Sequence, residues 1–338
     1  MNKHKINITD LAKKTGLSIT TVSRVLNGKA KEYRISKESQ QKIKYAAKEF
    51  NYIPNHFAAN LRTGKSGTIA LIVPSLKNPF FAEIVSDINT EITKFGYITI
   101  IEDSNENAAV ENMELKQLIG RNIEGLIIAP CGIKSNEILS LYKNGIPLIC
   151  IDRYFEELEI PYVSTDNYEG SYMATKYLIE NGHSAITCIQ GVQHSIPNKL
   201  RVKGFEDAIK NLKTYSKNIV GNDFTFENGY IETNILLHKK EKPTAIFTLS
   251  NTIAMGCMKA LKENNIRIPE DISLLTFDDH PYLDYLSTPI SCIAQPVRAI
   301  SIIAVKFILS ILKNKKPDPA QILLKPTLIK RGSVRKIN

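Results

Sequence analysis

From Thr68 onward the chain alternates short, continuously apolar runs with stretches of helical periodicity, and few folds accept that rhythm. TIALIVP leads into PFFAEIVSDINTEITKFG, ITIIED into a helical stretch ending near Arg121, GLIIAP into SNEILSLYKNG, and PLICID closes the set. After YVSTD the pattern begins again: a helix to Asn181, AITCIQG, a helix from about Asn198, NIVGND, a helix around Gly229 to His238, TAIFTLS, a helix to Asn264, then ISLLTFDD. Apolar runs without polar alternation have no solvent-facing side, and intervening helices supply the crossovers that parallel strands need. The expected fold class is therefore α/β, with two doubly wound parallel-sheet subdomains covered on both faces. No sequence repeat relates the two sets; only the pattern does.

In open parallel sheets, ligands bind beyond the carboxyl ends of the strands, and two facing sheets create a cleft there. The polar residues at those ends are Ser75 and Asn78, Asp103, Asp152 with Arg153, Gln190, Asn251, and Asp278 with Asp279. Carboxylates and amides suit hydroxyl groups, arginine donates in a fixed fork, and Phe80 and Phe81 offer surface for the apolar face of a sugar ring. Taken singly, an Asp or Asn at a strand end equally suits a helix cap or a turn. The set as a whole points to a ligand.

Ahead of this body lies a segment of another kind. Residues 7–27, NITDLAKKTGLSITTVSRVLN, form two short amphipathic stretches broken at Gly16. Asn7 is placed to cap a first helix, with Asp10 three residues on and Leu11 and Ala12 facing inward. Ser18 caps a second, in which Val22, Val25 and Leu26 share one side while Ile19, Thr20, Ser23 and Arg24 face outward, and Asn27-Gly28 ends it. Small side chains at Thr20, Thr21 and Ser23 let a helix sit deep in a major groove, and arginine bonds guanine bidentately. Ser36 opens a third helix, with Ile43, Ala46, Ala47 and Phe50 inward, closing a small all-α domain by about Tyr52. Capped helical pairs are common, so spacing alone does not decide for DNA.

Charge placement does. The first 65 residues carry 14 Lys and Arg against 4 Asp and Glu, while totals of 44 and 34 leave the remainder balanced, so the whole net charge of +10 sits on the head. A neutral body with a strongly basic head is an electrostatic footprint for a polyanion, most simply nucleic acid. A membrane surface is disfavoured because the head's apolar residues build small helix cores and not one broad face. The chain's start, MNKHKINITD, has no signal-peptide core, and the apolar stretch Ile300 to Leu312 is too short for a span, so a cytoplasmic location is expected. The five cysteines, widely spaced and mostly in apolar runs, read as buried free thiols.

LAKKTGLSITTVSRVLNG, followed by NYIPN and a segment with Leu61, resembles the LacI/GalR family of bacterial transcription regulators. The resemblance continues through NPFFAEI (78–84), EGLIIAP (124–130), IDR (151–153), NGHSAI (181–186), Arg201 with GF at 204–205, KPTAIF (242–247), IPEDISLLTFDD (268–279) and QP at 295–296. It implies a helix-turn-helix DNA-binding domain over 1–54, a hinge helix and linker over 55–67, and a periplasmic-binding-protein-like effector and dimerisation domain over 68–338. The subdomains are placed at about 68–163 plus 295–320, and 164–294 plus 321–338. It implies a homodimer or dimer of dimers on near-palindromic operator DNA, controlled by a small effector. Matching positions make Ile19, Thr20 and Arg24 the base readers with Ser23 and Asn27 nearby, Tyr52 and Asn55 phosphate contacts, and Leu61 a minor-groove wedge. In the body they make Asn78, Phe80, Phe81, Asp152, Arg153, Arg201, Asn251, Asp278 and Gln295 the effector contacts, a set that favours a free monosaccharide over a purine or nucleoside.

The chain departs from the family pattern in places. Ala59 stands where the hinge commonly has arginine or glutamine, His56 and Phe57 are unusual, and Thr252 replaces an acidic residue. The loop KAKEYRI is about three residues longer than usual and adds Lys31 and Arg34, which suggests extra phosphate contacts. An enzyme on this fold is not expected: GxGxxG, GxxxxGK, GxSxG and HExxH are absent, the six histidines do not cluster, and His183 and His194 near Arg201 make no catalytic set. No cofactor or metal is called for. The rival readings are a catabolite-control-type regulator answering to a protein or phosphorylated corepressor, and a solute-binding protein, for which the basic head has no use.

Overall fold

The computed structural model describes residues 6–52, 65–132, 136–210 and 218–337. By contacts the chain forms two units, Met1–Ser66 and Gly67–Asn338. The expected linker over 55–67 lies almost wholly outside the described residues.

The smaller unit holds α1 (Ile8–Thr15), α2 (Ile19–Leu26) and α3 (Lys37–Glu49). The Asn7 side chain accepts from the Thr9 and Asp10 amides at 2.8 and 3.0 Å, and Asp10 in turn accepts from the Asn7 amide at 3.0 Å. That reciprocal box satisfies donors that a helix start would otherwise orphan. Gly16 ends α1 at φ 66°, a left-handed cap that lets the chain turn sharply into α2. Ser18 and Ser36 cap the next two helices through the amides of Thr21 and Ser39. One small core joins all three helices: Leu11, Ala12, Val22, Val25, Ala30, Ile43 and Ala46.

The larger unit contains β1 (Thr68–Val73), β2 (Ile98–Asp103), β3 (Gly125–Ile128), β4 (Leu148–Ile151), β5 (Tyr162–Thr165), β6 (Ile186–Ile189), β7 (Asn218–Val220), β8 (Ala245–Thr248), β9 (Ser273–Phe277), β10 (Ser291–Ala294), β11 (Gln321–Leu324) and β12 (Thr327–Ile329). They make two six-stranded sheets, ordered β11-β5-β4-β3-β1-β2 and β12-β10-β9-β8-β6-β7. Every pairing is parallel except β10 with β12. In β1, Ile69, Leu71 and Val73 face helices Pro79–Thr93 and Val297–Ile311. Ala70 and Ile72 face the opposite layer with Leu115, Leu118 and Ile138. Burial of both faces is why these strands lack polar alternation.

The chain passes between the lobes three times, as the sequence reading has it, but two of the passages come a few residues later. The cuts placed after 163 and after 320 both move. β11 runs along β5 with Gln321 opposite Tyr162 and Leu324 opposite Thr165, so 162–165 and 321–324 both belong to the first sheet. β5 would otherwise present an open edge, and β11 covers it before β12 returns to the second sheet. The second lobe correspondingly comprises β6 to β10 and β12. All five cysteines are buried free thiols. Among the described residues, no helix is long and apolar enough to cross a membrane.

One helix pair packs backbone to backbone on two glycines. A Cβ on Gly229 would stand 2.0 Å from the Ile253 carbonyl oxygen, and one on Gly256 would stand 1.9 Å from that of Phe226. Helices Phe226–Leu237 and Asn251–Glu263 therefore meet at these two positions. Gly256→Ala is expected to destabilise the body by about 1–3 kcal/mol or more through overpacking, read as a lower urea midpoint with an unchanged far-ultraviolet spectrum. An unchanged midpoint would contradict the close approach.

Candidate functional site

The head offers one exposed helical face. Packing of Val22 and Val25 turns Thr20 and Asn27 to the surface, with Ile19 46% exposed and Ser23 and Arg24 half-buried at the flank. Asn27 donates to the Ser23 hydroxyl at 3.2 Å. The Arg24 guanidinium lies 3.6 Å over the ring of Tyr33, a residue of the long loop after α2. Cation–π stacking restricts the arginine's rotamers while leaving its donor edge free. Nothing local in the sequence marks Tyr33, whose role depends on the loop laying it against Arg24. Tyr52 packs partly buried against the head core. Asn55, His56, Phe57, Ala59 and Leu61 lie outside the described residues.

In the body, strand ends and helix starts from both lobes converge. Asn78, Phe80, Phe81, Asp152, Arg153, Arg201, Asp278 and Gln295 all line one cavity, together with Pro197, Phe224 and Ser250. Asn251 is the exception among the expected contacts: it is buried just behind the wall, its backbone N–H donates to Asp278, and its side-chain nitrogen has no partner. Asn78 does double duty, since its side-chain oxygen caps the next helix by accepting from the Phe80 amide at 3.1 Å. The free volume among these side chains is about 20 Å³, enough for a water molecule and far short of a sugar ring. A sugar ring does not fit this space as it stands.

Two aspartates hold strained backbones at this point. Asp152 and Asp278 have φ of 57° and 72°, immediately after β4 and β9. Non-glycine residues in the left-handed region cost of order 1–3 kcal/mol and concentrate at ligand clamps. Arg201 is fixed on three sides: Nε donates to Asn167 at 2.7 Å, Nη1 donates to the Leu249 carbonyl at 2.6 Å, and the guanidinium lies 3.7 Å over Phe277. Its remaining edge is 4.0 Å from Asp278. Gln295 ties the lobes, accepting from Thr165 at 2.5 Å and donating to Asp278 at 2.6 Å.

Asp152 is poorly served by comparison. Its Oδ1 has no hydrogen-bond partner and its Oδ2 is 3.9 Å from the Arg153 Nε, itself without a hydrogen bond. Burial pushes its carboxyl up to about 6; Arg201 and Arg153 pull it down, and Asp278 and Glu106 add to the rise. Burial also raises Asp278, opposed by Arg201, Gln295 and the Asn251 amide. An unpaired buried acceptor next to an unpaired buried donor is the arrangement a ligand hydroxyl satisfies, because one hydroxyl both donates and accepts. Phe224, Ser250 and Pro197 escaped the sequence reading, since nothing local marks them as cleft residues.

Comparisons with known proteins bear on the chain's family and fold. The family model described as bacterial regulatory proteins, lacI family, matches residues 7–55, and that described as periplasmic binding proteins and sugar binding domain of LacI family matches 66–301. The chain is 32% identical to the ribose operon repressor of Haemophilus influenzae over 96% of its own length and 97% of that protein. It is 29% identical to the HTH-type transcriptional repressor PurR of Vibrio atlanticus over 98% of its length and 99% of that protein. Among solved structures, the lac repressor dimer bound to operator and an anti-inducer superposes with a TM-score of 0.86 at 24% identity, covering 98% of this chain and 99% of that one, a likeness of fold.

Asp152 yields a pH test. Below an unfolded carboxylate's pKa near 4 both states hold the proton. Between there and about 6 only the folded state does, so stability falls as pH rises, and above about 6 the loss is complete. Asp152→Asn is expected to raise the melting temperature at pH 7.5, by up to about 3 kcal/mol of stability, with the gain shrinking toward pH 4. A variant less stable than the native protein at pH 7.5 would refute this.

Proposed function

The chain belongs to the LacI family of bacterial regulatory proteins, and from that membership we propose that it represses carbohydrate uptake and catabolism genes under the control of a free monosaccharide. It is a DNA-binding transcription regulator, not an enzyme. The observation that carries the sugar reading is the gathering of Asn78, Phe80, Phe81, Asp152, Arg153, Arg201, Asp278 and Gln295 around one cavity between the lobes. Carboxylates, amides and fixed guanidiniums there match hydroxyls in number and kind, and the phenylalanines suit the apolar face of a ring. The similarity to a ribose operon repressor supports the same ligand class.

On the DNA side, Ile19, Thr20 and Arg24 read base edges, Ser23 and Asn27 lie beside them, Tyr52 and Asn55 meet phosphates, and Leu61 wedges the minor groove. Ile19 offers only an apolar surface, which suits a thymine methyl. As a homodimer or dimer of dimers, the protein sets paired heads on a near-palindromic operator in the bacterial cytoplasm. Sugar binding changes how the lobes close, and DNA affinity follows from that equilibrium. A hundredfold change in occupancy needs only about 2.7 kcal/mol of difference between the two states.

Gel-shift titration of the operator with free pentoses and hexoses tests the reading. One of them is expected to change operator affinity and to raise the melting temperature. Asp152→Asn should keep operator binding and lose that response. Arg24→Ala should weaken specific binding by about 1–3 kcal/mol without changing stability. If no sugar acts and operator binding answers instead to a protein corepressor, the monosaccharide reading fails.

A further inference from the structure

Arg153, a cleft arginine, is already occupied. Glu106 reaches it from the loop after β2, and its two oxygens accept from Nη1 and Nη2 at 2.7 and 2.5 Å, a bidentate pair in which the arginine side chain is 5% exposed. The loop is built to hold it there. Asn105 and Glu106 are consecutive residues at φ 51° and 54°, a costly conformation outside glycine. Asp103 accepts from the Asn105 amide at 3.0 Å, and the Glu106 amide donates to the Pro74 carbonyl at 2.8 Å.

This pairing sets the charge of the cleft. Two guanidiniums, Arg153 and Arg201, face three carboxylates, Asp152, Asp278 and Glu106. Asp223 and Glu111 stand close enough to feel both Glu106 and Arg153. A phosphate or carboxylate entering here finds the arginine fork filled by Glu106 and would lose its hydration among acids. Among the described residues that line the cavity, the buried atoms left unpaired are neutral in demand: Arg153 Nε as a donor and Asp152 Oδ1 as an acceptor.

We propose that Glu106 is a specificity-determining residue that restricts the cleft to uncharged, hydroxylated ligands and excludes phosphorylated and acidic sugars. The proposal rests on the sugar-sensing reading and narrows it. The test is calorimetric titration of the full-length chain with free pentoses and hexoses, then with the phosphate ester and the sugar acid of whichever binds. The native protein should bind the ester and the acid about a hundredfold more weakly than the free sugar. Glu106→Gln should close that gap by about tenfold or more, mainly by gaining affinity for the anions. Glu106→Asp, which keeps the charge, should preserve the exclusion. Equal binding of sugar and ester by the native protein overturns the proposal, as does an unchanged ratio in Glu106→Gln that still binds free sugar. Failure of every sugar and every ester to bind the native protein is a separate result, which overturns the sugar-sensing reading and this inference with it.

Discussion

A strand buried on both faces has nothing to offer a ligand along its length; only its carboxyl end is free. That constraint organises the body of this protein. β1, β4 and β9 each run through the core and deliver polar groups at or just beyond their last residue: Asn78 after β1, Asp152 and Arg153 after β4, Asp278 after β9. Because each lobe obeys the same rule, the two sets of ends meet in one cleft, and recognition chemistry collects where the folds stop.

Holding those groups in place costs stability. Asp152 and Asp278 sit at positive φ, and burial resists ionisation of both. Neighbours unequally relieve them: Asp278 accepts from Gln295, while Asp152 Oδ1 has nothing. The imbalance is informative, since a core optimised only for stability would not keep a charged acceptor unpaired. A bound hydroxyl supplies what is missing, so the cleft is a site held at some expense to the fold.

Much of this was legible in the chain, and the gaps have physical causes. Capping pairs such as Asn7 with Asp10 and Ser18 with Thr21 act over three residues and can be read directly. The long buried strands declare themselves by their lack of alternation, and eight of the nine expected cleft residues do line one cavity. What escaped depends on distant pairing. Glu106 matters because Arg153 folds back onto it from 47 residues away. Tyr33 matters because a loop lays it on Arg24. β10, β11 and β12 were not read as strands, and β11 is only half-buried along its length. Asn251, at a helix start, lies outside the cavity lining, where its backbone N–H donates to Asp278 and its buried side-chain nitrogen has no hydrogen-bond partner.

The late return of the chain to the first sheet also governs how the molecule can be made. β11 at 321–324 completes an edge begun by β5 at 162–165, and helix Val297–Ile311 packs on that same sheet. The first lobe is therefore interrupted by nearly the entire second lobe, and a ribosome must translate past 324 before the first can close and past 329 before the second can. A nascent chain emerging amino end first has a small head that can fold at once and a body that must wait. A premature stop after 294 would strip the first lobe of a covering helix and an edge strand and the second lobe of β12, so both lobes depend on one short stretch of chain beyond that point.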